Sequence, residues 1–352
     1  MSRVHLVVPA GIDDPRRPSG GNAYDRRVGS GLVAAGWDVC EHLVPGAWPT
    51  PDTAARAALG QLIADLPDRA TVLIDGLIAS AAPAALVPPA GRLRLVVLVH
   101  MPLGGALPGR QPAADECVVL SAASAVITTS AWTCRWLLDR YRLPRAAVQV
   151  AEPGVDPAEL VAGTSGGGAL LCVGAVSPHK GHDVLLGALT RLADRPWRCL
   201  VVGPLDRDPD FVAELRRRAV AAGLGDRIDF AGPRSGLDLD RAYAAADTVV
   251  LASRAETYGM VVTEALARGL PVLATEVGGV PEALGRATDG CRPGLLVPPG
   301  DEVALAAALD RWLGSADLRR RLRRAARQRR TTLTGWPVTT ERVARVLTGV
   351  AA

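Results

Sequence analysis

Lysine and aromatic residues are scarce in this 352-residue sequence. Of the 40 lysine and arginine residues only one is a lysine, and aromatic residues make up 4% of the chain. Proteins that bind nucleic acid along a groove line it with positive charge and with aromatic rings on which bases stack. With so few rings and a net charge of only +4, the sequence predicts no nucleic-acid partner.

Several motifs with a well-defined chemistry are missing as well. The six cysteines are scattered, without a CxxC pair or the Cys/His spacing typical of a zinc site. No apolar run approaches the ~20 residues that span a membrane, and the apolar stretch at the N-terminus is too short for a signal peptide. Neither half has GxGxxG after its first strand, which disfavours a nicotinamide-dependent dehydrogenase. These absences predict a cytoplasmic protein with reduced cysteines.

The order of the apolar runs predicts two α/β halves. The chain has about twice the length of a typical domain. Short apolar runs alternate with amphipathic stretches of helical length, a pattern typical of doubly wound parallel sheets. The runs of the first half are VHLVVPA, TVLIDG, LRLVVLVH, AVITTS and AVQVAEPG. The runs of the second half are LLCVGAV, RCLVVGP, RIDFAGP, TVVLAS, PVLATEV and GLLVPP.

A stretch rich in proline and glycine interrupts this alternation. Pro157 and the three glycines at 166–168 favour a flexible connector over a helix or a strand. The predicted segments are an N-terminal domain over 1–152, a connector over 153–168, a second domain over 169–333, and a final helix over 334–352 that packs back on the first domain.

The single lysine stands in the stretch VGAVSPHKGHD of the second half. We expect the strand to end near Val176, because Pro178 cannot continue it, and a helix to begin around Gly181. Lys180 then lies at the carboxyl edge of a parallel sheet, where ligands bind and where a helix N-terminus attracts phosphate. An ammonium group is a compact point charge and fits a narrow diphosphate site better than a planar guanidinium. The pattern therefore predicts that Lys180 binds a diphosphate.

A second cluster of candidate residues lies in ETYGMVVTEALARGLPVLAT. Glu256 precedes a helix that we expect to begin near Met260, and Glu264 lies inside this helix eight positions after Glu256. The backbone N–H groups of Gly259, Met260 and Val261 are then available to an anion. Two carboxylates fit beside an anion when each accepts hydrogen bonds from hydroxyl groups, one on a sugar and one on a ribose. A sugar nucleotide carries its groups in this order.

These segments resemble the retaining glycosyltransferases of family 4, which have the GT-B fold. The stretch from Glu256 to Glu264 is similar to the E-x7-E motif of that family, and VGAVSPHKGHDVLL is similar to its phosphate-binding lysine segment. PSGGNAYDRR resembles its N-terminal glycine loop, LVHMPL its histidine strand end and EPGVD its interdomain connector. The resemblance covers nearly the whole chain. It implies two Rossmann-like, doubly wound domains that face a central cleft.

The resemblance also implies a reaction and roles for individual residues. It implies a hexosyltransferase that moves a sugar from a nucleotide-diphosphate sugar to a hydroxyl of a small-molecule or glycan acceptor. The donor is then a co-substrate, and neither a cofactor nor a metal ion is implied. The residues implied to act in catalysis are His100, Lys180 and Glu256. The residues implied to bind the donor are Gly20, Gly21, Lys180, Glu256, Gly259, Met260, Val261 and Glu264.

One position departs from the family pattern. Many members have an arginine five positions before the motif lysine, where this sequence has Ala175. We expect either that Lys180 serves the diphosphate alone or that Arg254 or Arg234 supplies a second cation. Two other functions stay open. A sugar-nucleotide epimerase or hydrolase shares the architecture, and a non-catalytic sugar-nucleotide-binding protein retains the same contacts.

Three further segments have simpler interpretations. His179 and His182 lack a third histidine nearby, which disfavours a metal site. DRDPD, residues 206–210, resembles a DxD metal motif but opens a predicted helix, where acidic residues act as caps. Eight arginines within residues 319–330 wrap around a predicted helix. A solvated helix is the first interpretation, and peripheral contact with the anionic inner face of a membrane is the second.

Overall fold

The computed structural model describes residues 2–106 and 113–351. The chain divides into two compact units. The first unit consists of Met1–Asp14, Ser19–Gly154 and Thr334–Ala352, and the second consists of Pro15–Pro18 and Val155–Leu333. Each unit contains one six-stranded sheet in which every pairing is parallel.

Twelve strands and fifteen α-helices are present in the described part of the chain. The strands are β1 (Arg3–Pro9), β2 (Asp38–Val44), β3 (Thr71–Asp75), β4 (Arg94–Val99), β5 (Ala125–Thr128), β6 (Val148–Val150), β7 (Ala169–Val173), β8 (Arg198–Val202), β9 (Ile228–Gly232), β10 (Thr248–Leu251), β11 (Val272–Thr275) and β12 (Gly294–Val297). The helices are α1 (Gly20–Ala34), α2 (Thr53–Asp65), α3 (Gly76–Ala79), α4 (Pro83–Leu86), α5 (Leu103–Ala106), α6 (Ala113–Ala122), α7 (Ala131–Tyr141), α8 (His182–Thr190), α9 (Pro209–Ala221), α10 (Gly236–Ala244), α11 (Met260–Ala267), α12 (Val280–Leu284), α13 (Glu302–Gly314), α14 (Ala316–Arg330) and α15 (Trp336–Ala351).

The first sheet has the strand order β2-β1-β3-β4-β5-β6. Its central strands are almost entirely apolar because helices cover both faces. On one face α1 packs with α15, and Tyr24 of α1 and Val343 and Leu347 of α15 are fully buried there. Tyr24 also donates a hydrogen bond to the carbonyl oxygen of Ala151 at 2.8 Å. The final helix thus completes the hydrophobic core of the first unit.

The second sheet has the strand order β12-β11-β10-β7-β8-β9. Residues of α8, α9 and α13 fill the core on one face, and residues of α10, α11 and α12 fill the core on the other. Trp312 of α13 is fully buried and donates a hydrogen bond to the carbonyl oxygen of Gly167 at 2.7 Å. This contact ties the residues just before β7 to the helical layer.

The apolar runs of the sequence predict eleven of the twelve strands. The missed strand is β2, whose sequence DVCEHLV has polar residues in the middle and no continuous apolar run, and which lies at an edge with only one neighbour. The expected end of β7 near Val176 was three residues too late, because the strand stops at Val173. Gly174 leaves extended geometry with a φ of 153° and starts a loop that continues to Gly181.

The stretch before β7 has no helix or strand, but side-chain contacts hold it in place. Asp247 is fully buried and accepts hydrogen bonds from the Thr164 hydroxyl at 2.6 Å and from the Ala169 N–H at 2.9 Å. It also pairs with Arg323 at 2.7 Å. A buried carboxylate requires such partners, so Asp247 fixes this stretch to the second unit. The residues predicted as a flexible connector are therefore anchored.

Helix α14 carries the eight arginines that were predicted to wrap a helix. Five of them donate hydrogen bonds to carbonyl or carboxylate oxygens of the second unit, namely Arg319, Arg320, Arg323, Arg329 and Arg330. Arg324 forms an ion pair with Asp289 at 3.7 Å. These contacts favour a structural role, and membrane contact stays a prediction. None of the helices in the described part of the chain combines the length and the apolar character of a membrane span.

Candidate functional site

The carboxyl ends of β7 and β10 lie side by side in the second sheet, at the point where the sequence order of the strands reverses. β7 pairs with β8 on one side and with β10 on the other. The loops after β7 and β10 lead to α8 and α11, which pack on opposite faces of the sheet. The crevice between two such loops is the usual ligand site of an open α/β sheet. The two loops are the segments that contain Lys180 and Glu256.

The loop after β7 is shaped so that it contacts the end of β10. Residues Pro178–Lys180 form a 3-10 turn, and Gly181 after it is left-handed with a φ of 67°. A Cβ atom at Gly181 would lie 1.9 Å from the carbonyl oxygen of Ala252, the residue that follows β10. Only glycine allows this approach. The turn therefore fixes Lys180 beside the second loop.

Lys180 and Glu256 form an ion pair between the two loops. Lys180 Nζ lies 2.6 Å from Glu256 Oε1, and this oxygen also accepts a hydrogen bond from Ser253 Oγ at 2.9 Å. The Lys180 side chain is 26% exposed and the Glu256 side chain 11%, so both are partly desolvated while Lys180 stays within reach of a ligand. The ammonium can bind phosphate oxygens, and the carboxylate can accept hydrogen bonds from hydroxyl groups.

The N-terminus of α11 is a second place where an anion can bind. The helix begins at Met260, as the sequence predicted, and Gly259 before it is left-handed with a φ of 92°. The N–H groups of Gly259, Met260 and Val261 donate no hydrogen bond to any residue that the structure describes. They offer three donors at the positive end of the helix.

Glu264 lies inside α11 and is held by a tyrosine that sequence analysis missed. Tyr243 of α10 is fully buried and donates a hydrogen bond to Glu264 Oε2 at 2.7 Å. The guanidinium of Arg268 lies 4.3 Å from the centre of the Tyr243 ring. Burial raises the pKa of Glu264, although Tyr243 and Arg268 act in the opposite direction. One oxygen of Glu264 is thus fixed, and the other has no hydrogen bond to a described residue.

Arg254 was one of two residues expected to replace the missing phosphate cation, and its contacts give it another role. Its guanidinium pairs with both oxygens of Asp183, at 2.8 and 2.7 Å, and also donates to the carbonyl oxygen of Pro178 at 2.6 Å. Burial acts to raise the pKa of Asp183, but Arg254 outweighs it, so the pKa is lowered. Arg254 therefore stabilises the loop between β7 and α8 that contains Lys180. Arg234, after β9, is half-buried and has no ion pair with a described residue.

In the first unit, the structure brings Gly21 and His100 together. Helix α1 begins at Gly20, and a Cβ atom at Gly21 would lie 3.2 Å from Cδ2 of His100, which follows β4. His100 Nε2 lies 2.7 Å from Asp25 Oδ1 and 3.7 Å from Asp75 Oδ2. The two carboxylates lie on α1 and at the end of β3, and sequence analysis named neither of them.

Burial and the charges of neighbouring groups shift the pKa values of His100 and Asp75 in the cluster that these two residues form with Asp25. Burial alone would lower the pKa of His100, but the two carboxylates outweigh it and raise the pKa to about 9. Burial, with the neighbouring Asp25, raises the pKa of Asp75 to about 7. At neutral pH the imidazole is therefore a cation that Asp25 holds in one orientation.

Two groups of described residues have a spacing that could hold a metal ion, and neither was suggested by the sequence. The groups are His5 with Cys40 and His42, and Asp25 with Asp75 and His100. His182 is buried, and burial lowers its pKa to about 4, so it is a neutral core histidine. In residues 206–210, Asp208 caps α9 by accepting a hydrogen bond from the Phe211 N–H at 3.0 Å, which confirms the capping interpretation.

Known proteins are similar to this chain, above all in the second unit. Residues 165–329 match the family model described as glycosyl transferases group 1. A D-inositol 3-phosphate glycosyltransferase from Stackebrandtia nassauensis is 33% identical over 222 residues, which cover 58% of this chain and 49% of that protein. A protein of the same name from Frankia alni is 34% identical over 256 residues, 68% of this chain and 61% of that protein. The chain spans about half the length of the curated relatives it matches.

Solved structures resemble the chain over nearly its whole length. Sucrose-phosphate synthase from Thermosynechococcus elongatus has a TM-score of 0.81 and 23% identity, with 99% of both chains covered. Anabaena HepE in complex with UDP and glucose has a TM-score of 0.76 and 19% identity, with 99% of this chain and 100% of that chain covered. At these identities the likeness shows the fold alone, and it confirms the GT-B fold class. Residues 165–329 thus match the glycosyl transferases group 1 family, within a chain that has the GT-B fold.

Proposed function

We propose that this protein is a retaining glycosyltransferase that moves a sugar from a nucleotide-diphosphate sugar to an acceptor hydroxyl without a metal ion. The observation that carries the proposal is the Lys180–Glu256 ion pair at the point where the strand order of the second sheet reverses. It places a phosphate-binding cation next to a carboxylate that accepts hydrogen bonds from a sugar. The group 1 glycosyl transferase match over residues 165–329 covers both residues and supports the same reaction class.

The leaving diphosphate is stabilised by the cation and the helix end. As the bond from the anomeric carbon to the diphosphate breaks, negative charge grows on the phosphate oxygens. Lys180 and the N–H groups of Gly259, Met260 and Val261 are positioned before the reaction begins, so they stabilise this charge without reorganisation. In this proposal they perform the task that a metal ion performs in other transferases.

The new bond forms on the face from which the diphosphate leaves. The acceptor oxygen bonds to the anomeric carbon, and the acceptor proton passes to an oxygen of the departing diphosphate, which retains the anomeric configuration. Glu256 orients the hydroxyl groups of the donor sugar and stabilises the positive charge on the carbon. It forms no covalent intermediate in this scheme.

The remaining candidate residues complete the donor site. Glu264 accepts hydrogen bonds from the ribose, because one of its oxygens is fixed by Tyr243 and the other is available. Gly20 and Gly21 of the first unit approach the diphosphate, and His100 contacts the transferred sugar as a cation. The acceptor binds mainly to the first unit.

A donor screen followed by product analysis tests the proposed reaction. Thermal unfolding of the full chain is measured with UDP-, GDP-, ADP- and dTDP-sugars, and we expect one nucleotide series to raise the midpoint through binding to the folded state. The matching donor is then incubated with acceptors, beginning with D-inositol 3-phosphate because of the names of the curated relatives. We expect a glycoside whose anomeric configuration, determined by NMR, equals that of the donor, at a rate that EDTA leaves unchanged.

Other outcomes of this screen separate the competing functions. An inverted product, or loss of activity in EDTA while the protein stays folded, contradicts the proposed mechanism. Release of free sugar or of an epimer without any acceptor indicates a hydrolase or an epimerase. Donor binding without turnover for any acceptor indicates a non-catalytic binding protein.

Tyr243→Phe tests the ribose role of Glu264. Without the hydroxyl group, Glu264 loses the hydrogen bond at 2.7 Å that holds one of its oxygens. A hydrogen bond to a charged group contributes roughly 1.5–3 kcal/mol, so the donor KM should rise by about 10- to 100-fold. Because Glu264 is remote from the breaking bond, kcat should change less than about 2-fold. Steady-state kinetics with varied donor measure both constants.

Tyr141→Phe is the matched control for this variant. Tyr141 lies in the first unit, is also buried, and donates a hydrogen bond to Glu116 Oε2 at 2.6 Å. Both variants should lose stability, but only Tyr243→Phe should raise the donor KM. Equal donor KM values in the two variants would show that Tyr243 and Glu264 take no part in donor binding.

A further inference from the structure

Three residues with metal-binding side chains meet at the edge of the first sheet. His5 lies on β1, and Cys40 and His42 lie on the edge strand β2. The register pairs His5 with Cys40 and Val7 with His42. Paired residues of parallel strands, and residues two apart on one strand, point to the same face. All three side chains therefore project from one side of the sheet, although 37 positions separate the two histidines.

The two histidine nitrogens lie close to the spacing of ligands around one ion. His5 Nδ1 lies 3.0 Å from His42 Nε2, and the imidazole rings stack with centres 5.2 Å apart. These nitrogens and Cys40 Sγ all lie within 4.8 Å of one another. In a tetrahedral zinc site with Zn–N bonds of ~2.0–2.1 Å, two ligand nitrogens are about 3.3 Å apart. Shifts of a few tenths of an ångström thus suffice to bring the nitrogens to that spacing.

The surroundings also suit a metal ion. His5 is only 8% exposed, whereas Cys40 and His42 are half-buried, so an ion can reach the group from solvent. Cys40 is a free thiol. Asp38, two positions before Cys40, forms an ion pair with Arg3 at 2.6 Å and lies on the same face.

We infer that His5, Cys40 and His42 bind one Zn²⁺ ion, with the fourth position occupied by water. Two imidazoles and a thiolate match the preference of zinc for nitrogen and sulfur, whereas magnesium and calcium prefer oxygen. The ion joins β2 to β1, which is the only strand that pairs with it in the described sheet. The ion thereby fastens the exposed edge of the first sheet. The inference does not depend on the proposed transferase activity.

Metal titration of the full chain without a histidine tag tests this inference. The protein is stripped with a chelator and reduced, and Zn²⁺ is titrated against a chromogenic competitor. We expect one equivalent to bind and the thermal midpoint to rise. Co²⁺ used in place of Zn²⁺ should give a thiolate charge-transfer band together with the d–d spectrum of a tetrahedral site.

Variants locate the ion. Cys40→Ser and His42→Gln should each weaken Zn²⁺ binding at least 100-fold, and both should fold because the two side chains are half-buried on an edge strand. Cys291→Ser removes another half-buried thiol, and Asp25→Asn alters the other metal-capable group, so both should bind Zn²⁺ as the parent does. Binding that persists in the Cys40 and His42 variants, or that is lost with Asp25→Asn, overturns the inference. A Co²⁺ spectrum without a thiolate band overturns it too.

Discussion

Lys180→Ala is expected to lower kcat by a factor of 100 or more at saturating donor. In the proposed reaction the ammonium stabilises charge that develops on the leaving diphosphate, and removal of one comparable donor in other enzymes costs about 100- to 1,000-fold. The substitution also leaves Glu256 without the cation that lies 2.6 Å from it. Lys180→Arg should recover only part of the rate, because a planar guanidinium cannot occupy the same space as an ammonium group.

Arg218→Ala is the control for the loss of a positive charge. Arg218 is exposed on α9 of the same unit, and its removal should leave kcat unchanged. Thermal unfolding should show that the Lys180 variants remain folded. If Lys180→Ala and Arg218→Ala turn over pure donor at the same rate, Lys180 has no part in the chemical step.

Asp25→Asn is expected to make the free energy of unfolding depend less on pH between pH 7 and 9.5. His100 has a pKa of about 9 in the folded protein, above the ordinary histidine value of 6.5. Between these two pKa values the folded protein keeps a proton on His100 that the unfolded chain releases. The resulting stabilisation of the fold is fully present below pH 6.5 and is lost as the pH rises through 9. Between pH 7 and 9.5 the contribution of His100 to the free energy of unfolding should fall by about 2 kcal/mol. Without Asp25 the imidazole loses its partner at 2.7 Å, and most of this dependence should disappear.

Denaturant unfolding at a series of pH values provides the measurement. Burial also raises the pKa of the thiols of Cys172 and Cys199, but they contribute equally to both curves and cancel in the difference. Asp13→Asn is the matched control, because Asp13 is exposed and pairs only with Arg26 among the contacts described. Parallel curves for the parent protein and Asp25→Asn would show that His100 does not keep its proton through Asp25.

The sequence predicts the fold well wherever burial alone decides the pattern. The strands inside the two sheets have apolar runs because their side chains are buried. The edge strands β6, β9 and β12 are still apolar enough to be predicted, whereas β2 is partly or fully exposed along most of its length and includes Cys40, Glu41 and His42. Missing this strand also meant missing the cluster with His5, since only the register of β1 and β2 brings the three residues together.

The candidate site was predictable to the extent that its residues lie in continuous segments. The segments with Lys180 and with Glu256 to Glu264 each carry their own loop and helix signals, and their roles stay predictions. Asp25, Asp75 and Tyr243 matter through contacts with residues distant in sequence. Asp25 lies 75 positions from His100, and Tyr243 lies 21 positions from Glu264. No local pattern distinguishes such partners from ordinary polar residues of a helix or a strand end.

Helix α15 has a consequence for the order in which the chain folds during synthesis. The first unit is discontinuous, since its core contains Val343 and Leu347 from the last helix. While the ribosome is still adding residues 155–333, the face of α1 around Tyr24 has no covering helix. The second unit is complete before α15 is made, because its segments all precede Thr334. We therefore expect the C-terminal unit to reach its native packing first, the reverse of the usual order from N-terminal to C-terminal domain.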